Sequence, residues 1–467
     1  MKATPQTFPP GTHASPPIRD TGDQGQTPPG SIQRAGSHAD MSNADPEVLA
    51  RAGLTHIIEP NDQTGSALVQ VSGAVEAYRI IRDHTGPAPA HEQQQVAELL
   101  DAHGASRASL RLDAGLERWR PRAALADPQS DLKLMSTLGG GIIHPGDENW
   151  PQGFEALGLA APLALWYRGT GNLAILRDPA GLAAIVGSRD ATEYGRTVTA
   201  ELVHGLRARG ICIVSGGAYG IDAQAHQAAL AEDPLAHTRP GEPPLPATIA
   251  VMAGGLNRFY PVGNDELLRS VHRQGLLIAE VAPGATPTRW RFLQRNRLIA
   301  ALCAATVVAE ARWRSGALST ARHAAEMGRE VGAIPGSVFS ANSAGCHRLI
   351  REGAAILVTD AAEALELLKL PDPAPQDLQA QQAGNDREEP RDYDGLAIQD
   401  LLLLDALPVR SPRTADQLAA LAGLGMGAIL GGLSRLSTRG LAERSGSGWI
   451  RRFPKGREPQ RGAPEPR

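Results

Sequence analysis

The sequence predicts an α/β protein: a Rossmann-like, doubly wound, mostly parallel sheet, with a small helical domain before it and a winged-helix-like domain after it. Two observations carry this prediction. Short, continuously apolar segments recur from about residue 134 to 368, and each is followed by a glycine-rich turn and then a helical pattern. Strands buried on both faces read as unbroken apolar runs, and a helix between successive strands makes the sheet parallel. The chain's 467 residues also exceed one ordinary core, so two or three domains are expected.

Residues 1–45 are rich in Pro, Gly, Ser, Thr and Gln and lack apolar periodicity, the composition of a disordered tail, and Met41 is a second candidate start. Residues 46–125 read as short helices broken at Gly73 and Gly104, a small helical domain of helix-hairpin-helix or SAM-like kind. Strands are expected at 183–186, 211–214, 248–252, 276–280, 306–310, 330–334 and 355–358, with helices at 193–209 and 221–231 between them. An acidic linker at 371–395 leads to a third unit at 396–453. There helices near 415–421 and 428–438 precede a small hairpin, the order of a winged helix. A basic tail at 454–467 closes the chain. The run Gly423-Leu-Gly-Met-Gly427 has no strand before it and reads as a turn between helices, not a nucleotide fingerprint.

The formal net charge of −4 conceals strong asymmetry. From Val409 to Arg467 there are eleven Lys/Arg against four Asp/Glu. From Val281 to Ala309 there is no acid at all, yet Thr288-Arg-Trp-Arg-Phe-Leu-Gln-Arg-Asn-Arg297 holds four arginines and two aromatics in ten residues. This run lies between two strand-like segments, so it is a crossover inside the α/β core. Guanidinium groups left unpaired at a core's rim call for an anion. Arginine forks match phosphate oxygens, and Trp290 and Phe292 offer faces to bases. The three cysteines, Cys212, Cys303 and Cys346, have no metal-ligand spacing and sit in apolar or glycine-rich surroundings. Buried reduced thiols, a cytoplasmic location and no metal or cofactor are therefore expected. No run of about 18 apolar residues is present to span a bilayer, and no signal peptide is recognisable.

Three glycine-rich turns stand at expected strand ends: Gly187-Ser188-Arg189, Ser215-Gly216-Gly217 with Gly220, and Ala253-Gly254-Gly255. In an open parallel sheet ligands bind beyond the carboxyl ends of the strands, so these turns read as one anion-binding rim. Ser315 and Gly316 present backbone donors at a further strand-to-helix turn, with Arg312 and Arg314 beside them. Neither a Walker phosphate loop nor a strict dinucleotide fingerprint occurs. Asp222 and His226 lie on one helix face and are expected to cap and pack beneath the rim, without a catalytic role.

Together, Ile185-Val-Gly-Ser-Arg189, Ser215-Gly-Gly-Ala-Tyr-Gly-Ile-Asp-Ala-Gln-Ala-His226, Tyr260-Pro261 with Asn264, Phe292-Leu-Gln-Arg-Asn-Arg-Leu-Ile299, Ser315-Gly-Ala-Leu-Ser-Thr-Ala321 and Pro335-Gly336 with Gly345-Cys346 resemble the DNA-processing protein A (DprA, also called Smf) family. The resemblance covers about 134–368. It implies a non-enzymatic protein, often dimeric, that binds single-stranded DNA at the strand ends and hands it to the RecA recombinase during DNA uptake, natural transformation or recombination. It makes Arg189, Arg295 and Arg297, with Arg289 nearby, phosphate contacts. The glycine turns become backbone donors, and Asn296 a residue that fixes its loop. Gly217 and Leu293 depart from the family's usual Leu and Pro, a change of loop shape. Two competing readings stand beside it. A phosphoribohydrolase-like enzyme of similar fold would need an acid soon after the Arg314–Thr320 turn, where none occurs before Glu326. A duplex-DNA regulator would bind through the basic C-terminal unit.

Overall fold

The computed structural model describes residues 45–82, 86–104, 111–232, 245–369, 396–409 and 411–452. The expected N-terminal tail (apart from Asp45), Met41, the 371–395 linker and the 454–467 tail lie outside the described residues. Two compact units divide at Leu370.

The first unit is built on nine strands: β1 (Gly140–Ile143), β2 (Leu165–Gly169), β3 (Leu182–Gly187), β4 (Cys212–Ser215), β5 (Thr248–Met252), β6 (Leu276–Ala279), β7 (Ala305–Glu310), β8 (Glu330–Ala333) and β9 (Ile356–Leu357). They form one sheet in the order β1-β2-β6-β5-β4-β3-β7-β8-β9. The strands from β6 to β9 run parallel, while β2 pairs antiparallel with β6 and β1 antiparallel with β2. The seven parallel strands are those expected from the apolar runs. The two antiparallel ones were not among them: β1 is half glycine and pairs on the sheet's edge, while β2, which carries the apolar run at 163–167, lies between β1 and β6.

Six helices precede or lead into the sheet: α1 (Pro46–Ile57), α2 (Gln63–Ser72), α3 (Ala74–Arg82), α4 (Ala90–Ala102), α5 (Leu112–Ala123) and α6 (Pro128–Thr137). Asp45, Asp62 and Asp127 cap three of them with their side chains. They have a core of their own around Leu54, Leu68, Ile81 and Trp119, yet belong to the same compact unit as the sheet. Trp166 of β2 donates from Nε1 to Thr55 Oγ1 at 3.0 Å, and Arg51 donates to the Leu163 carbonyl at 2.5 Å.

The remaining helices cover the two sheet faces. They are α7 (Glu193–Arg207), α8 (Ile221–Ala231), α9 (Asp265–Gln274), α10 (Arg289–Leu302), α11 (Ala317–Glu326), α12 (Ala344–Arg351) and α13 (Ala361–Leu367). Alternate strand residues point to opposite faces. Cys212 and Val214 pack with α10, α11 and α12, whereas Ile213 packs with α7, α8 and α13. Chain growth proceeds from β3 outward through β4, β5 and β6. Helix α10 then carries it back across the sheet to β7 on the other side of β3. The β3/β7 boundary is thus the switch point, where the strand ends open a crevice.

The second unit contains helices Ile398–Ala406, Ala415–Ala422 and Met426–Thr438 and the antiparallel strands Ala442–Ser445 and Gly448–Arg451. Leu403, Leu418, Ile429, Leu433 and Leu436 fill its core. Gly423, at φ 63°, ends one helix in the left-handed region that disfavours side chains, so residues 423–425 turn between helices and Met426 and Gly427 open the next one.

Beneath the crevice, His226 is fully buried and accepts the Gly217 N–H at Nε2 (3.2 Å). Its Nδ1 lies 2.8 Å from Thr248 Oγ1, which donates to the Ile213 carbonyl at 2.7 Å. The ring is therefore neutral, with its hydrogen on Nδ1. Burial, aided by Arg295, depresses its pKa to about 3 from 6.5. Because the folded-state value is the lower one, the contribution to stability is complete above about pH 6.5 and is lost as pH falls toward 3. Each pH unit below 6.5 should cost about 1.4 kcal/mol from this ring alone. Urea denaturation at neutral and mildly acidic pH should show His226→Gln losing less stability on acidification than the parent. Equal losses would mean the ring is protonated in the fold.

Candidate nucleic-acid interface

A groove of about 800 Å³ opens at the switch point. Its floor is Val186-Gly187-Ser188 at the end of β3 with Ala218 and Asp222. One wall is the first half of α10, and the other is the Arg312–Thr320 turn leading into α11. Gly187 is required here, because a Cβ would fall 2.5 Å from Ile221 and 2.8 Å from the Glu310 carbonyl.

Five arginines line the groove: Arg189, Arg289, Arg295, Arg312 and Arg314. Arg312 pairs with Asp190 at 3.0 Å, and Arg295 lies 3.7 Å from Asp222. Among the described residues no carboxylate pairs with Arg189, Arg289 or Arg314, and all three are exposed. The start of α10 sharpens this imbalance. Thr288 caps it by accepting the Arg291 N–H at 3.2 Å, but its first turn holds Arg289 and Arg291 and no acid. Cations there oppose the helix dipole by about 0.3–1 kcal/mol each, a cost that a bound anion would reverse.

Arg295 is buried and anchors the helix. Its Nη1 donates to the Val251 carbonyl at 2.7 Å and to the Gly216 carbonyl. Burial lowers its pKa to about 10, with Asp222 acting in the opposite direction, and the guanidinium is still charged at neutral pH. Two guanidinium groups lie over the Phe292 ring, Arg189 at 4.9 Å and Arg295 at 5.1 Å from its centre. Its ring positions Arg189, so the face expected to stack on bases is already covered by cations.

The sequence-predicted residues divide into two groups. Gly187, Ser188, Arg189, Arg289, Arg295, Asn296, Ser315 and Gly316 line the groove. Asn296 donates to the Gly316 carbonyl at 3.2 Å, tying α10 to that turn. The Ser188 N–H is bonded to the Glu310 carbonyl at 2.7 Å and is not free for a ligand. Ser215, Gly216, Gly217, Gly254, Gly255 and Arg297 do not line it. Ser215 is buried and donates to the Ile185 carbonyl at 2.6 Å. The Gly217 N–H goes to His226, and its carbonyl accepts from Asn264 at 3.0 Å. Gly254 and Gly255 let the 282–287 loop close down, with the Gly255 N–H donating to the Ala285 carbonyl at 2.9 Å. Arg297 is 2% exposed, pairs with Glu280 at 2.6 Å, and donates to the Ala160 and Gln294 carbonyls. The three glycine turns therefore form a layered support, of which only the first brings a glycine to the groove, the second reaching it through Ala218.

Arg312, Arg314, Thr288 and Tyr260 line the groove without having been singled out as its contacts. The signal for the two arginines was their place beside Ser315 at a strand end; for Tyr260 it was the Tyr260-Pro261 pair in the family resemblance. The nearest acid after that turn, Glu326, sits at the far end of α11 with Arg322. The three cysteines are buried free thiols, and burial raises Cys212 and Cys346 to about 12. Among the described residues no cluster of His, Cys, Asp or Glu could hold a metal, and no single helix is long and apolar enough to cross a membrane.

The comparisons agree with this architecture. Residues 141–369 match the family model described as DNA recombination-mediator protein A. A Mycobacterium tuberculosis protein carrying the DprA name is 38% identical over 430 residues, spanning 90% of this chain and 98% of the relative. The chain belongs to the DNA processing protein A family. The Streptococcus pneumoniae member is 42% identical over 199 residues, which cover 43% of this chain and 64% of the relative. Its X-ray structure aligns with TM-score 0.51 and 30% identity over 69% of this chain and 97% of that one.

Arg297 serves as a test of the division. Removing it leaves Glu280 buried without its partner, so Arg297→Ala should lower stability by about 3–5 kcal/mol. Chemical denaturation measures this directly. Unchanged stability would return Arg297 to the list of ligand contacts.

Proposed function

We propose that this chain binds single-stranded DNA along the groove, holding its phosphates with Arg189, Arg289 and Arg314 over Arg295, and acts without catalysis. The observation that carries the reading is the set of exposed arginines lacking carboxylates at a sheet's switch point, beside a helix start that has no acid. That arrangement suits a polyanion bound by its backbone. Family membership supports a role in DNA processing and recombination, in a reducing cytoplasm. In that role the protein delivers strands to the RecA recombinase and works as a homodimer. The second unit, three helices and a hairpin in winged-helix order, contributes contacts to protein or DNA that the groove does not need.

The buried arginines are poor probes of this reading, since truncating Arg295 strands Asp222 as well as altering the groove. The exposed ones are suitable. Arg189→Ala, Arg289→Ala and Arg314→Ala should each weaken binding of an oligonucleotide while leaving the unfolding transition in place. Each should also flatten the dependence of log K on log salt by about 0.7. Fluorescence anisotropy across a salt series measures both effects. Three variants that bind like the parent would remove the groove from consideration. A fragment ending at Leu370 should keep the affinity of the full chain; loss of binding would move the principal site to the second unit.

A further inference from the structure

Helix α10 has a second cavity on its opposite flank. About 570 Å³ of half-open space is bordered by the first turn of α10, the 282–286 loop and residues of the α1 and α5 regions. This is within the range of small-ligand sites. Arg289 and Phe292, three residues apart, face the groove, whereas Trp290, about 100° further round the helix, faces the second cavity. Thr288, the cap of α10, lines both, so the two spaces meet across the helix start.

The chemistry of the second space differs from that of the groove. The Trp290 indole is 54% exposed and Leu125 is 77% exposed, leaving an aromatic face and an aliphatic wall open beside Pro283. The polar end is Glu59, and its arginines are already engaged. Glu59 Oε1 accepts from Arg122 Nη1 at 2.8 Å and from Arg291 Nη2 at 2.9 Å. Oε2 accepts from Arg291 Nε at 3.0 Å and, among the described residues, from nothing else, so it keeps room for another donor. A phosphate would meet a carboxylate here and two guanidinium groups that are not free. A flat, partly apolar group carrying an N–H donor fits better.

We propose that this cavity takes one nucleobase of the strand whose phosphates lie in the groove, stacked on Trp290 and donating an amino-edge N–H to Glu59. The site rests on the groove reading above and extends it from backbone binding to base contact. Cytosine, adenine and guanine carry exocyclic amino donors. Thymine presents a single ring N–H between two carbonyl oxygens that the carboxylate repels, and it is the disfavoured base.

The test uses the full-length protein and anisotropy with three labelled strands of equal length: oligo-dC, oligo-dT and an abasic strand that keeps every sugar and phosphate. Base stacking on an aromatic ring is lost on alanine substitution, so Trp290→Ala should weaken oligo-dC by about 5- to 100-fold and leave the abasic strand unchanged. Arg189→Ala should weaken all three. Glu59→Gln should erase the preference for dC over dT. If Trp290→Ala leaves oligo-dC unchanged while Arg189→Ala weakens every strand, the base pocket is refuted and the groove stands. If Arg189→Ala has no effect on any strand, the groove reading fails and this inference fails with it. Free dCMP should not displace oligo-dC. Displacement by dCMP at concentrations comparable to the strand would make the cavity a mononucleotide site and overturn the proposal.

Discussion

The buried guanidinium of Arg295 is the tie on which the groove depends. It reaches from α10 to the carbonyls of Val251 on β5 and Gly216 at the end of β4, within 4 Å of Asp222. A charged group with so little solvent needs compensation, and here two backbone carbonyls take Nη1 and the nearby Asp222 carboxylate offsets the charge, while Nε is left without a partner among the described residues. The same contacts hold the returning helix against the strand ends. Gly216 has to be glycine for this, because a Cβ would lie 2.3 Å from the guanidinium. What looks in one dimension like a ligand-binding glycine is a seat for an arginine.

From that tie the rest of the site follows by stacking. Arg295 and Arg189 both lie over Phe292, so the exposed guanidinium is held over a ring instead of sweeping solvent. Asn296, the next residue along α10, pins the Gly316 carbonyl and thereby the start of α11. Glu310, buried at the end of β7, accepts from the Thr192 N–H and hydroxyl, and its own carbonyl accepts from Ser188. Glu310 and Asp222 are thus spent on internal partners and Asp190 on Arg312, and Arg189, Arg289 and Arg314 are left without a carboxylate among the described residues. Preorganisation of this kind limits the side-chain entropy lost when a flexible polyanion is bound.

The helices ahead of the sheet are not an independent appendage. Glu59, just beyond α1, receives Arg291 of α10 and Arg122 of α5, and so ties the helical region to the same helix turn that borders the groove. Burial pushes the Glu59 carboxyl up, but the hydrogen bond from Arg291 and the charges of Arg291 and Arg122 together outweigh it and hold the group below its ordinary value. Movement of the helical region would therefore be felt at the start of α10. This coupling joins elements over two hundred residues apart in the chain.

The linear sequence determined the parallel strands, the turns between them and the family, because each is written in short-range patterns: apolar runs, glycine at strand ends, helical periodicity. It also located the basic crossover, since the lack of any acid from Val281 to Ala309 is visible without a fold. Tertiary structure alone decided which arginine does what. Arg295, Arg297 and Arg289 stand within nine residues on one helix. Helical rotation points Arg289 to the groove, Arg295 to the strand ends and Arg297 to Glu280. The antiparallel placement of β1 and β2 was likewise decided by the fold: β1, two glycines and two isoleucines, is a strand only because it pairs on the sheet's edge with β2, which is itself held between β1 and β6. Burial and partner choice depend on which distant segments meet, and no local pattern encodes that.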